Sequence, residues 1–314
     1  MSDVICLKIK NTKKGSQRII DFLDNRFKYF DVHTWKAKIE SGHILVNGKE
    51  VSQDQLICWG DIVSYRTTAW KEPAVNTQYH VIYEDEHFLA VSKPSGLPVH
   101  SVGRFFQNTL VSLLRAHYPR LNYLNLAHRL DSETSGVVLL CKTHEALRFI
   151  QKEWTRGSVH KEYDAFVFGQ FHPQVRTICA PIGAKLNGKI RIKQGIDWIR
   201  GKMATTIFKA VEIKSTFSWI KAFPITGRTH QIRVQLEAIK FPIIGDKLYS
   251  GNDEIFLNFR ENGFTDEIEK QVQFSRTALH ACRLEFTHPQ TQKKIVLEAP
   301  IPSEMQKKWE SFTS

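Results

Sequence analysis

The sequence predicts an α+β protein built on a mixed, mostly antiparallel β-sheet with flanking helices, preceded by a smaller N-terminal α/β module. Two observations carry this reading. Strand-like stretches such as "HKEYDAFVFG" (160–169) and "TTIFKAVEIKSTFSWIKAFPIT" (205–226) show alternating apolar residues close together in the chain. Helical stretches interrupt such strands irregularly instead of following each one, which disfavours a doubly wound parallel sheet.

The N-terminal elements come first. In "GSQRIIDFLDNRF" (15–27), Ile20, Leu23 and Phe27 share one helical face behind Ser16 as the expected cap. In "HTWKAKIESG" (33–42), Trp35 and Ile39 do the same before Gly42 stops the helix. "HILVNGKEV" (43–51) then sets Asn47-Gly48 between apolar residues, the signal for a type I′ hairpin. "TAWKEPAVNTQYH" (68–80) has no periodicity and reads as a linker. The expected division is therefore a module over 1–67, a linker over 68–80 and a larger domain over 81–314.

In the larger part, Phe88–Ser92 is a short apolar strand closed by Lys93-Pro94. "NTLVSLLRAHYP" (108–119) keeps Leu110, Leu113 and Leu114 on one helical face. "THEALRFIQKEWTRG" (143–157) keeps Leu147, Ile150 and Trp154 together until Gly157 stops it, and "THQIRVQLEAIK" (229–240) is helical again, with Ile232, Leu236 and Ile239 in register. Residues 251–275 are acidic and read as an irregular surface excursion.

Composition limits the function. Lys and Arg number 44 against 32 Asp and Glu, a formal charge of +12 over 314 residues. Such an excess costs self-repulsion that an anionic partner relieves, and nucleic acid is the first expectation. No apolar run reaches the ~18–20 residues needed to span a bilayer, and the N-terminus lacks the order of a secretory signal. Cys6, Cys58, Cys141, Cys179 and Cys282 are scattered and form no Cys-x-x-Cys pair, so neither a disulfide framework nor a zinc site is expected. A reducing cytosol fits that usage.

Four stretches hold residues suited to chemistry. "HRLDSETSG" (128–136) places Asp131 near His128 and Ser135, but a hydrolase triad rarely forms from residues so close in sequence. In "KEYDAFVFG", Tyr163 is either a core tyrosine or, beside Lys161, a flat face for a nucleobase. "TGRTHQIR" packs Arg228, His230 and Arg233 at a helix start, where cations oppose the helix dipole, so an anion is expected beside them. "AKLNGKIRIKQGIDWIRGK" (184–202) carries Lys185, Lys189, Arg191 and Lys193. It is either a solvated hairpin face or a track for phosphates.

Taken together, "EDEHFLAVSKPSGLPVH", "HRLDSETSGVVLL", "KEYDAFVFG", "TGRTHQIRV…PIIGDKLYS" and "LHACRLEFTHP", in this order, resemble the signature segments of the RluA-like RNA pseudouridine synthases. The helix, helix, hairpin order in front, with "ESGHILVNGKEV", is similar to the S-four-like RNA-binding module; a plain helical cap is the alternative. The resemblance implies a sheet-based catalytic domain with an RNA cleft, no cofactor and no metal. It implies isomerisation of uridine: the ribose bond to the ring nitrogen breaks, the ring turns, and ring carbon 5 bonds to the sugar. By position it makes Asp131, Tyr163 and Arg233 the catalytic residues and has Arg129 hold the RNA. Arg228, Lys185, Lys189, Arg191 and Lys193 add expected RNA contacts. Gln235 stands where that family frequently has histidine.

An arginine beside an aspartate lowers its pKa by roughly 1–3 units, so Arg233 is expected to keep Asp131 charged. The expected substrate is large-subunit ribosomal RNA, with transfer RNA as the alternative, and the expected protein is a monomer. Two rivals stand: an inactive RNA-binding assembly factor, and a glycosidase-like hydrolase with Glu133 as its second acid.

Overall fold

A computed structural model describes residues 5–12, 15–27, 30–67, 72–102, 105–185 and 190–313. The chain divides into two compact units: Met1–Ala74 with Ser101–Gln107, and Val75–His100 with Asn108–Ser314.

In the first unit, β1 (Ile5–Lys10) pairs with β6 (Ile62–Thr67), which also pairs with β3 (Ile44–Val46); β3 in turn pairs with β4 (Lys49–Glu50). All three pairings are antiparallel. Asn47 and Gly48 join β3 to β4, both with positive φ, as the Asn-Gly signal requires. Strands β2 (Gln17–Arg18) and β5 (Leu56–Ile57) form a small separate pair. The helices α1 (Ile19–Arg26) and α2 (Val32–Glu40) bury Ile19, Ile20, Leu23, Trp35 and Ile39 in one core with Ile44 and Val63. Ser16 is not the cap of α1: the helix begins at Ile19, with Arg18 in the cap position and no side-chain cap. Asp31 caps α2 by accepting from Thr34 N.

The second unit is one eleven-stranded sheet among the described residues. Its path runs β13 (Gln194–Ile196), β12 (Val175–Ala184), β14 (Lys202–Ile213), β15 (Phe217–Pro224), β11 (His160–Phe168), β16 (Leu279–Thr287), β10 (Ser135–Cys141), β8 (Phe88–Lys93), β7 (His80–Glu84). Two further strands lie off this path, β9 (Asn125–Leu126) on β10 and β17 (Lys294–Glu298) on β16. Among the described residues only β10 and β16 pair in parallel, so the sheet is mixed and mostly antiparallel, as expected. Five helices of this unit, α3 (Leu110–His117), α4 (His144–Arg156), α5 (Gln231–Ala238), α6 (Asp253–Asn262) and α7 (Asp266–Val272), precede β16; α8 (Ser303–Glu310) follows β17. Apolar faces on α5 (Ile232, Leu236) and α8 (Met305, Trp309) join Phe166, Phe208 and Ile220 of the sheet in the largest core.

Residues 251–275 differ from the expected irregular excursion. They form α6 and α7, capped by Asn252 and Thr265, with Ile255, Ile268 and Val272 buried together. Acidic residues in the first turns favour the helix dipoles, so the charge that suggested a loop supports helices instead.

Candidate active site

The "HRLDSETSG" segment runs into the start of β10. There Gly136 has φ +114, and a Cβ at this position would lie 2.2 Å from the carbonyl oxygen of Ala281. Only glycine allows β10 to lie this close to β16. The register then matters: Gly136 pairs with Ala281, and Ala281 pairs on its other side with Tyr163 of β11. The glycine therefore seats the Asp131 loop one strand away from Tyr163.

That loop is clamped on both sides. Lys93, fully buried, donates from Nζ to the carbonyls of Pro94 (2.9 Å), Leu97 (2.8 Å) and Ser132 (2.9 Å). Burial draws its ammonium down to about 7, while three carbonyl acceptors match the three N–H bonds of the charged form. On the other side, Glu133 accepts from Lys247 Nζ (2.7 Å), Thr277 N (2.9 Å) and Thr277 Oγ1 (2.9 Å). Arg276 Nη1 adds a bond to the Glu133 carbonyl at 3.1 Å.

Helix α5 brings the opposing cation. His230, in the left-handed region at φ 56, begins the helix, which turns Arg233 toward the loop. Arg233 donates from Nη1 to Asp131 Oδ2 at 2.7 Å, and from Nε and Nη2 to the two oxygens of Asp246 at 2.6 and 2.8 Å. Asp246 also accepts from Leu248 N and Tyr249 N. These are the anions that arginine at a helix start called for. The Tyr249 ring lies against the guanidinium, 4.9 Å from its carbon, and Tyr249 Oη lies 2.8 Å from His230 Nδ1. His230 Nε2 is 3.7 Å from Asp131 Oδ1.

The electrostatics favour a charged Asp131. Burial alone pushes its carboxyl up, but Arg233, with His230 and Lys93 adding to it, brings it below the ordinary aspartate value. Burial likewise acts against the Arg233 cation, yet Asp246 and Asp131 raise it well above the ordinary value. The Asp131 side chain remains 29% exposed, so it is accessible to a substrate, whereas that of Asp246 is wholly buried. Tyr163 is partly buried against the main core; burial, with the Asp131 charge next, pushes its hydroxyl up and keeps it neutral.

The chain matches the RNA pseudouridylate synthase family over residues 87–238. It is 32% identical over 306 residues to "Ribosomal large subunit pseudouridine synthase C" of Vibrio vulnificus (strain CMCP6), covering 93% of this chain and 92% of that protein. The protein of the same name from Escherichia coli (strain K12) is 32% identical over 303 residues, with 92% and 90% covered. The chain belongs to the RNA pseudouridylate synthase family. Among solved structures, "Human RNA Pseudouridylate Synthase Domain Containing 4" has the same fold, with a TM-score of 0.58 at 23% identity over 74% of this chain and 92% of that one. The chain is thus an RNA pseudouridine synthase, an isomerase.

Within this synthase the residues singled out in the sequence are not all assembled. Asp131 and Arg233 meet, and Tyr163 lies within reach of the Asp131 charge. Arg129 and Arg228 are exposed; Arg129 Nη1 lies 3.3 Å from His100 Nε2, and Arg228 Nε donates to Met203 O at 3.1 Å. Lys185 and Arg191 are exposed, and Lys189 lies outside the described residues. Lys193 departs from the expected phosphate track: its side chain is 2% exposed and ion-paired with Asp253 (2.8 Å) and Glu237 (3.4 Å). Lys161 likewise is buried, donating to Thr226 O at 3.0 Å.

The two hydrolase readings lose their parts. His128 Nε2 accepts from Leu139 N at 3.1 Å, and Ser135 Oγ is 2.9 Å from His280 Nδ1, so neither faces Asp131 as a triad member. Glu133 is engaged by Lys247 and Thr277 and is a brace for the loop. Gln235 is wholly buried, bonding Ala204 O at 2.9 Å, and so offers no substrate contact. Sequence reasoning assigned no role to Asp246 or Lys93, though both stand in the quoted "PIIGDKLYS" and "SKPSG".

Proposed function

We propose that this synthase isomerises uridine to pseudouridine in large-subunit ribosomal RNA, with Asp131, Tyr163 and Arg233 as its catalytic residues. The observation that carries the reading is the shared cation: Arg233 bridges buried Asp246 and partly exposed Asp131. A carboxylate can attack the sugar carbon or take a ribose proton only while ionised, and this pairing keeps it so. The C1′–N1 bond of uridine breaks, the uracil turns, and C1′ bonds to C5. The proton leaving C5 is balanced by one gained at N1, so the reaction needs no external reactant.

Reaching a base inside folded RNA requires turning it out of its stack, at a cost of a few kcal/mol. In this reading the Tyr163 ring takes a face of the uracil, contributing about 1–3 kcal/mol by stacking. Exposed Arg129, Arg228, Lys185 and Arg191 hold the backbone. The same reading assigns Lys189 to that strip. Residues 1–67 act as an S-four-like RNA-binding module, supported by the helix, helix, hairpin order of α1, α2, β3 and β4. The large subunit is favoured over transfer RNA because the relatives at 32% identity bear that substrate in their names. The cytosol is the favoured location, supported by that substrate and by the free thiols of Cys58, Cys141, Cys179 and Cys282.

The experiment supplies the purified protein with unmodified transcripts of large-subunit ribosomal RNA and of transfer RNA and maps pseudouridine in each. Product in the first alone is expected. Product in transfer RNA alone would move the substrate, and release of free uracil would replace isomerisation by hydrolysis.

A further inference from the structure

The turn between β13 and β14 is unlike the rest of the surface. Trp198 is 74% exposed and Ile199 90% exposed, at successive positions. Single exposed apolar residues need no explanation, but a fully presented tryptophan beside an isoleucine does. The turn is also held in shape: Asp197 Oδ1 accepts from Ile199 N and from Arg200 N, both at 3.0 Å, and Gly201 N donates to Asp197 O at 2.9 Å. A braced turn presents its side chains with little ordering cost on binding.

The turn's place in the fold suggests what it meets. Strand β13 is tied to the catalytic cluster, because Tyr249 Oη accepts from Gln194 N at 2.8 Å and lies 2.8 Å from His230 Nδ1. Past the turn, Met203 O accepts from Arg228 Nε, on the loop that carries His230. Trp198 is four residues from Gln194, a chain span of at most about 14 Å. Its surroundings are cationic: Arg191, Arg200, Lys202 and Arg228 are exposed, and the nearby carboxylate, Asp197, accepts from the turn's N–H groups and lies 3.8 Å from Arg200 Nε, leaving a net positive charge. An anionic chain with flat apolar bases satisfies both features at once; a purely apolar partner would leave the cations unmatched.

We infer that Trp198, supported by Ile199, is a stacking platform for an unpaired RNA base that flanks the reacting uridine. The inference rests on RNA being the substrate and deepens that reading by fixing where a neighbouring nucleotide is held. The tryptophan takes the π-face of the base while Arg200 and Lys202 take phosphate charge. Every base has such a face, so the platform selects for single-stranded context and not for sequence.

Trp198→Ala and Trp198→Phe are compared with the unaltered enzyme by direct binding of a uridine-containing RNA hairpin with an unpaired loop, and of a duplex of equal length. Trp198→Ala is expected to weaken hairpin binding roughly 5- to 150-fold. Trp198→Phe retains most of it, and duplex binding is unchanged. The slope of affinity against salt stays as it was for Trp198→Ala, because no ionic contact is lost. Because the residue is exposed, both variants fold. Equal hairpin affinity for the alanine variant overturns the inference, as does an equal loss on the duplex. So does loss of self-association without loss of RNA affinity, which would make the turn a contact between copies. Pseudouridine formation by Trp198→Ala at saturating RNA is measured alongside. A defect in hairpin affinity with no pseudouridine formed by any variant would retain the platform and remove the proposed reaction.

Discussion

Arg233 Nη1 donates to Asp131 Oδ2 at 2.7 Å, joining residues 102 positions apart. The same guanidinium holds Asp246 through its other nitrogens. One cation thus serves two carboxylates, a buried one that fixes its orientation and an accessible one that it keeps charged. The planar fork of arginine makes this division possible, and a lysine ammonium lacks that geometry.

The first prediction concerns pH. Asp131 and Asp246 both lie below their ordinary value in the folded protein. Their ionised forms therefore favour folding and activity above the unfolded value, and that contribution is lost as pH falls through the folded one. In Arg233→Lys the ammonium has the same charge but not the fork that reaches both carboxylates, so burial acts on Asp131 with its partner less closely held and its pKa rises. The acid limb of the single-turnover pH–rate profile should then move to higher pH than in the unaltered enzyme, with the maximal rate also reduced. Circular dichroism at each pH separates this from unfolding.

For Tyr163 the ring and the hydroxyl can be separated. Tyr163→Leu should lower affinity for a uridine-containing RNA by about 1–3 kcal/mol, the worth of one stacked base, whereas Tyr163→Phe should keep that affinity. Equal loss in both would move the contribution from the ring face to the hydroxyl.

At Gly136 the expected effect is on stability and placement together. The Cβ of Gly136→Ala would meet the backbone of Ala281 at 2.2 Å, where no flexible side chain can yield. Denaturant unfolding should show a loss above about 2 kcal/mol, and turnover should fall because the Asp131 loop shifts away from Tyr163.

Glu133 separates brace from acid. Glu133→Gln leaves the Lys247 ammonium, 3% exposed, without its counter-charge. The Glu133 side chain is 29% exposed, so the cost should be roughly 2–3 kcal/mol, below that of breaking a fully buried pair. Below its melting temperature the variant should still form pseudouridine. Complete loss of turnover in the folded variant would make Glu133 a reacting group.

Much of this arrangement was legible from local chemistry. The Asn47-Gly48 turn requires two positive φ values and has them. Arginine at the start of α5 called for an anion, and it was the family resemblance that named Asp131 as its partner. What stayed hidden depended on distant partners. Lys193 looked like the companion of Arg191 on a solvated hairpin, but Asp253 and Glu237 reach it from α6 and α5 and bury it. Asp246 has no local mark of its role, since its function is to orient a side chain 13 positions earlier. Helices α6 and α7 were passed over because acidic residues suggested a loop, although Asn252 and Thr265 stood ready as caps. Trp198 lies in the basic 184–202 segment, and only its exposure distinguishes it from a core residue.

Asp131→Asn tests the central claim most directly, because it keeps the side chain's shape while removing the charge that Arg233 holds in place. Pseudouridine formation is followed under single-turnover conditions with saturating RNA, alongside direct measurement of RNA affinity. RNA affinity within a few-fold of the unaltered enzyme, with no pseudouridine formed, is the predicted result. Conversion by Asp131→Asn at the rate of the unaltered enzyme would contradict the assignment of Asp131 as the reacting carboxylate.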